Sequence, residues 1–246
     1  VALAAASSRY EVRLAADEGE RRSAFRLRYE VFNLELGEGL PGASASGLDR
    51  DDFDDVMEHL LVIDRRRGLL AGTYRLQCGA KAARGFYSAQ EFDFSPYLPV
   101  ADQLLELGRA CLHGEHRTAT VILLLWQAIA DYARDSGCRY LIGCSSLTSQ
   151  SPAEGWAAWR EMEQKGYLAP DEWRTLPHPG CALPDALPAT AHPIPRLLRA
   201  YLGVGAKVCA PPAIDRSFGT IDFLTILDLA LANPVASGRF LKTLEK

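Results

Sequence analysis

The chain has 246 residues, 48% of them apolar, with a net charge of −4 and an isoelectric point near 5.8. That length and apolar share suffice for one large core. The charge offers none of the basic domain or stripe that marks a nucleic-acid binder, and no apolar run approaches the roughly 20 residues that span a bilayer. The opening VALAAASS is weakly apolar and lacks the basic region of a signal peptide, so a soluble, cytoplasmic protein is expected. Cys78, Cys111, Cys138, Cys144, Cys181 and Cys209 are dispersed, without a CxxC pair or Cys/His ligand spacing. They are expected to be free, buried thiols, and no metal site is expected.

YEVRLA at 10–15 alternates as a first strand. A helix is predicted over 18–36, capped by Asp17 with Glu20 completing a capping-box pattern, and ended by Gly37. Arg28 and Phe32 lie four apart, on one side of it. A loop follows, closing on the acidic run DRDDFDD at 49–55. HLLVID at 59–64 and LLAGTYRLQ at 69–77 read as a hairpin turning at Gly68, and a further edge strand is expected at 85–88. A central strand is predicted over 104–112, a helix over 118–136 and a strand over 139–145. Another helix should start at Ser151-Pro152-Ala153-Glu154, where an N-cap, a first-turn Pro and a capping box coincide, and run to about Lys165. Residues 169–195 hold seven of the 14 prolines, which predicts an ordered but irregular excursion or a flap. A short helix over 196–202 and strands over 207–210 and 220–227 complete a mixed α/β order. The expected division is a flexible tail over 1–9, a core over 10–168, and a Pro-rich excursion with late strands over 169–246 completing the same domain.

Three arginines fall where charge costs most: Arg28 beside the apolar side of the first helix, Arg75 inside a strand, and Arg109 inside another strand beside Glu106. The acidic partners on offer are Asp51, Asp52, Asp54, Asp93 and Glu106. Such a grouping suits either a structural ion network or a pocket for a zwitterion, in which arginine grips a carboxylate and an acid holds or deprotonates an ammonium group. Glu106 and Arg109 are three apart and would face opposite sides of a regular strand. A bulge at Gly108 would bring both to one edge. The loop HGEHRTAT at 113–120 opens a helix, where His113, Arg117 and the backbone near Thr118 could cradle a phosphate.

RYEVF at 28–32, DDFD at 51–54, HLLVID at 59–64, GTYRL at 72–76, FYSAQEFD at 86–93 and ELGR at 106–109 occur in that order. This pattern resembles the N-acyl amino acid synthases of the GNAT acyltransferase superfamily. The resemblance is strongest to the bacterial ornithine N-acyltransferases that make lyso-ornithine lipid, whose relatives often carry a hemolysin label. The acyl-homoserine-lactone autoinducer synthases share the same skeleton. The resemblance is dense over 10–168, and PPAIDRSFGTIDFL at 211–224 extends it.

It implies a GNAT acyl-CoA N-acyltransferase-like fold, a mixed α/β sheet splayed in the middle, with a Pro-rich C-terminal extension. It implies transfer of a (3-hydroxy)fatty acyl group from acyl carrier protein to the amine of an amino acid, ornithine first, by direct attack and without a cofactor. Where most GNAT enzymes carry a Gly-rich pyrophosphate loop, HGEHRTAT has a single glycine, which suits a phosphopantetheine donor on a carrier protein. Glu106 is the expected base and Arg109 its partner at the reaction edge. Arg28, Phe32, Asp52, Asp54 and Arg75 are expected to bind the acceptor, and Cys111, His113, Arg117, Thr118 and Ser145 the donor. Backbone N–H groups around 109–111 would polarise the thioester carbonyl. A covalent acyl-cysteine at Cys111 or Cys144 is the rival chemistry. An autoinducer-like synthase and a non-catalytic scaffold that binds carrier protein or lipid are the alternative functions. An acidic carrier protein would need a local basic face, for which Arg21, Arg22, Arg26, Arg65–Arg67, Lys81 and Arg84 are candidates. A lipid product would also allow peripheral contact with the inner membrane face.

Overall fold

A computed structural model describes residues 9–187 and 193–231. The expected N-terminal tail, apart from Arg9, lies outside the described residues, as do 188–192 of the Pro-rich stretch and everything after 231. In chain order, β1 (Tyr10–Leu14) leads into α1 (Glu18–Arg28), which continues as a π-helix over Tyr29–Leu36 to Gly37 at φ 70°. β2 (Glu58–Asp64) and β3 (Leu69–Cys78) form the hairpin, turning at Gly68 with φ 62°. β4 (Leu104–Leu112), α2 (Ala119–Asp135), β5 (Tyr140–Leu147) and α3 (Pro152–Gln164) follow. After the Pro-rich stretch come α4 (Arg196–Val204), β6 (Lys207–Val208), β7 (Ala213–Asp215) and β8 (Thr220–Asp228). β7 has no counterpart in the sequence reading.

The strands make one sheet in the order β1-β2-β3-β4-β5-β8-β6, with β7 also on β8. Every named pairing is antiparallel except that of β4 with β5, which is parallel and covers only Leu104–Glu106 against Tyr140–Ile142. Beyond Glu106 the two strands part. Gly143 sits at the apex: a Cβ there would lie 2.2 Å from the Leu107 carbonyl oxygen, so only glycine lets the strands approach so closely before they diverge.

Alternation along the strands sorts side chains onto two faces. Leu60, Val62, Tyr74, Leu76, Leu105 and Leu141 pack with α2 in the largest core cluster. His59, Arg75, Gln77 and Glu106 take the opposite face, with His59 opposite Arg75, and Gln77 opposite Glu106. α3 and α4 pack with Ile221 and Phe223 in a separate cluster.

Two local expectations change. Residues 85–88 are not a strand: a 3₁₀ turn runs over Tyr87–Gln90, because the backbone N–H groups of Tyr87 and Ser88 donate to the Glu106 carboxylate instead of to a ladder (2.8 Å each). At the start of α3 the Glu154 carboxylate accepts from Ser149 Oγ (2.5 Å), and Ser151 makes no side-chain cap. The described part of the Pro-rich stretch is irregular but tied to the sheet, through Ala169 N–H to Val208 O (2.8 Å), Thr175 N–H to Cys209 O (2.9 Å) and Ile214 N–H to Cys181 O (2.7 Å).

Candidate active site

β4 carries the first part of the site. Between the pairs Arg75–Gly108 and Thr73–Cys111, β3 advances two residues and β4 three. The extra residue is a bulge, and Arg109 beside Gly108 takes the left-handed conformation at φ 53°. This conformation costs a non-glycine residue of order 1–3 kcal/mol and turns Arg109 to the face already occupied by Glu106. Arg109 is held there between the rings of Phe218 (4.3 Å) and Tyr87 (5.1 Å). Phe32 meets Phe218 edge to face at 5.4 Å, so it acts from beneath the site.

The three buried arginines and three aspartates close into a ring of alternating charge. Arg28 donates to Asp49 Oδ1 (2.9 Å) and through both terminal nitrogens to Asp54 (2.8 and 2.7 Å). Arg75 bridges Asp54 (3.0 Å) and Asp51 (2.7 Å). Arg109 reaches Asp51 (2.9 Å) and lies 3.5 Å from Asp49. The ring sums to zero charge. The arginines hold the Asp51 and Asp54 carboxyls below the usual carboxylate range, against the opposing effect of burial.

Asp52 does not join. Its side chain is 88% exposed and its sole ion pair among the described residues is with Arg84 at 3.6 Å. In the 3₁₀ turn over Asp52–Asp55, positions 51 and 54 face inward and 52 faces out. Asp49, absent from the sequence candidates, supplies the third acid.

Glu106 lies at the mouth of the splay and is 1% exposed. Oε1 accepts from the N–H and hydroxyl of Ser88 (2.8 Å each). Oε2 accepts from Tyr87 N–H (2.8 Å) and Gln77 Nε2 (3.4 Å). Burial raises its pKa, the donors lower it, and the balance is upward. Glu106, Ser88, Arg75 and Arg109 line a cavity of about 50 Å³ together with Tyr87, Cys144, Ser146 and Asp222. Arg75 Nε and Arg109 Nε make no hydrogen bond among the described residues. A Cβ at Gly108 would sit 3.9 Å from Arg75 Nε, so glycine leaves open space beside that nitrogen. A cleft of about 1390 Å³ adjoins it, sharing Tyr87, Arg109 and Asp215 as wall.

On the other face of the splay is an apolar and aromatic cavity, lined by Tyr74, Leu107, Trp126, Gly143 and Tyr201 among others. Ser145 lines it, its Oγ 3.3 Å from Thr225 Oγ1. None of the other four donor candidates does. Cys111 is buried against Leu27, its Sγ donating to Leu27 O (3.6 Å). Arg117 is committed to Glu35 (Nη2 to Oε2, 2.6 Å). Thr118 Oγ1 caps α2 by accepting from Val121 N–H (3.4 Å), and His113 Nδ1 accepts from Glu115 N–H (3.3 Å). Burial pushes the Cys111 thiol up to about 12 and the Cys144 thiol well above its ordinary value, which disfavours a thiolate nucleophile at either.

Sequence reasoning missed Ser88, Tyr87, Glu91 and Asp222. Asp222 could have been found by the signal that found Glu106, an acid inside the apolar strand TIDFLTIL. Ser88 carries no such signal, because its role comes from a turn that forms around the Glu106 carboxylate.

A mixed sheet that splays at a bulged central strand, with a polar cavity on one face and an apolar one on the other, defines the GNAT acyltransferase class. Residues 27–127 match the acetyltransferase (GNAT) domain family. Among solved structures, the fold is shared with FeeM, an N-acyl amino acid synthase from uncultured soil microbes (TM-score 0.54, 10% identity, 91% of this chain and 94% of that one). It is also shared with the AHL synthase LasI (TM-score 0.51, 13% identity, 91% of each chain). The chain is 34% identical over 242 residues to the L-ornithine N(alpha)-acyltransferase of Rhodobacter capsulatus, covering 92% of both. It is 35% identical to that of Brucella abortus, covering 89% of this chain and 84% of the relative. The chain belongs to the L-ornithine N(alpha)-acyltransferase family, and is an acyltransferase. Among the described residues no helix is long and apolar enough to cross a membrane.

Proposed function

We propose that this enzyme moves a fatty acyl group, including 3-hydroxyacyl groups, from a phosphopantetheine thioester on acyl carrier protein to the α-amine of ornithine, giving a lyso-ornithine lipid. The observation that carries this reading is the splay itself. It sets a small apolar cavity of about 30 Å³, where an acyl thioester arm would enter between the parted strands, back to back across Leu107 and Cys144 with a polar cavity lined by donors and acids.

The ring has no surplus charge for a ligand, but Arg75 Nε makes no hydrogen bond among the described residues and is available to the acceptor's carboxylate. The α-ammonium must lose a proton before it can attack. Each Glu106 oxygen already carries two donors, so the proton travels along an existing hydrogen bond: the ammonium gives a proton to Ser88 Oγ as Ser88 gives its own to Glu106 Oε1. The free amine then attacks the thioester carbon. Backbone N–H groups at the 109–111 bulge stabilise the oxyanion, the C–S bond breaks, the leaving pantetheine thiolate takes the second proton of the attacking nitrogen, and Glu106 returns its proton to solvent. The raised pKa of both cysteines supports direct attack without an acyl-enzyme. Arg22 and Arg26, on α1 and without ion-pair partners among the described residues, offer charge to an acidic carrier protein.

The test is incubation of the purified protein with a long-chain 3-hydroxyacyl carrier protein, or the matching coenzyme A thioester, and a pool of amino acids, with products read by mass spectrometry. The expected result is one N-acylornithine, formed faster from the carrier-bound donor. An N-acyl product of another amino acid in place of ornithine, or none with either donor, overturns the reading.

A further inference from the structure

The mechanism leaves two buried acids unused. Glu91 follows the 3₁₀ turn that holds Ser88, and is 6% exposed. Asp222 sits in the middle of β8 opposite Ser146, and is 4% exposed. One oxygen of each carboxyl and the Cys144 sulfur all lie within 4.8 Å of one another. The three aspartates of the ring are matched by arginines, but neither Glu91 nor Asp222 forms an ion pair with a lysine or arginine among the described residues. The opposing charge that acts on both is Arg109, which is committed to the ring.

Burial raises both carboxyls; Asp222 and Asp215 add to it at Glu91, which is pushed up to about 10, and Asp215 adds to it at Asp222 against hydrogen bonds from Ser146 and Thr220, so Glu91 keeps its proton near neutral pH and Asp222 carries the negative charge. No hydrogen-bond donor among the described residues reaches Glu91 Oε2 or Asp222 Oδ1.

The pair's place matters as much as its charge. Asp222 lines the small cavity with Glu106, Ser88 and Arg109, and Glu91 lines the large cleft. The acids therefore stand where the cleft meets the reaction cavity. On the same cavity, Arg75 Nε makes no hydrogen bond among the described residues. A carboxylate seat and an amine relay thus line the small cavity and the anionic pair stands at its junction with the cleft, matching the three charged groups of a diamino acid.

We propose that Glu91 and Asp222 form a cation subsite that takes the side-chain ammonium of a diamino acid acceptor, selecting it over acceptors that lack that group and leaving the α-amine for the thioester. This rests on the reading of the chain as an amino acid N-acyltransferase. On binding, the Glu91 carboxyl gives its proton to solvent, and the ammonium's N–H groups donate to Glu91 Oε2 and Asp222 Oδ1. An ammonium held by two carboxylates is also a poor nucleophile, which keeps the acyl group off the distal nitrogen.

The test compares ornithine with norvaline, which has the same chain without the distal nitrogen, in the wild type and in Glu91→Gln and Asp222→Asn. In the wild type, kcat/KM for ornithine is expected to exceed that for norvaline by roughly 10–100-fold, the range of hydrogen bonds to a charged group. In each variant the ratio of the two kcat/KM values is expected to fall to within about threefold of one, whatever the change in the absolute rates. Equal loss with both acceptors, or an unchanged preference, overturns the proposal.

Calorimetry without donor gives a second readout that needs neither the variants nor turnover. In buffers of different ionisation enthalpy, ornithine binding to the wild type should release about one proton more than norvaline binding. Equal proton release overturns the subsite. If no amino acid is acylated yet ornithine binds with that extra proton, the subsite stands and the proposed reaction falls.

Discussion

Asp54→Asn is the sharpest probe of the charge ring. Asp54 is fully buried and accepts from both terminal nitrogens of Arg28, from Arg75 and from the Asp51 N–H (2.9 Å). Asparagine has the same shape but removes one negative charge, leaving three arginines against two aspartates, and turns an amide donor toward groups that are themselves donors. Breaking a buried pair by removing one partner costs about 3–5 kcal/mol, because the other charge is left uncompensated. For a chain of this size that lowers the melting temperature by about 10 °C. Urea and thermal melts followed by circular dichroism measure the loss. Arg28→Met combined with Asp54→Asn restores neutrality, and should be less destabilised than the sum of the two single changes by about 0.5–3 kcal/mol. A loss below about 1 kcal/mol in Asp54→Asn, or strict additivity in the double variant, would refute the ring as a structural unit.

Two further outcomes follow from the geometry. Gly143→Ala places a Cβ 2.2 Å from the Leu107 carbonyl oxygen, so β4 and β5 must shift at the apex of the splay; a loss of about 1–3 kcal/mol is expected from melts, with acyl transfer falling more than tenfold. His59 is buried beside Asp54 and against the Phe25 ring, and burial lowers its pKa to about 4. The unfolded chain takes up this proton near pH 6.5 and the folded chain does not, so stability falls as pH drops from about 6.5 to about 4, by about 3 kcal/mol. Glu91, Asp222 and Glu106, whose pKa values are raised, act in the opposite direction over part of that range. The His59 contribution is therefore read as the difference between the wild type and His59→Gln, and a difference constant with pH contradicts it.

The sequence was most legible where one residue type forces one structure. Gly37 and Gly68 end a helix and turn a hairpin because both need positive φ. The strand over 104–112 could be read from its apolar run, and the clash between the spacing of Glu106 and Arg109 and a regular strand already called for a bulge. Pairing across long separations was not legible. Nothing local distinguishes Asp51, which reaches Arg75 and Arg109, from Asp52, which faces solvent; a single 3₁₀ turn decides between them. The edge strand expected at 85–88 failed for the same reason, since its backbone donors serve a carboxylate nearly twenty residues away in the chain.

The central claim is that acyl transfer takes place at the bulged edge of β4, with Glu106 receiving the acceptor's proton. Single-turnover rates of Glu106→Gln against the wild type from neutral to alkaline pH, with melting temperatures in parallel, test it most directly. The account predicts a loss of about 10²–10⁴-fold near neutral pH that shrinks as the acceptor's own amine deprotonates, in a variant that remains folded. Near wild-type rates across the whole range would contradict it.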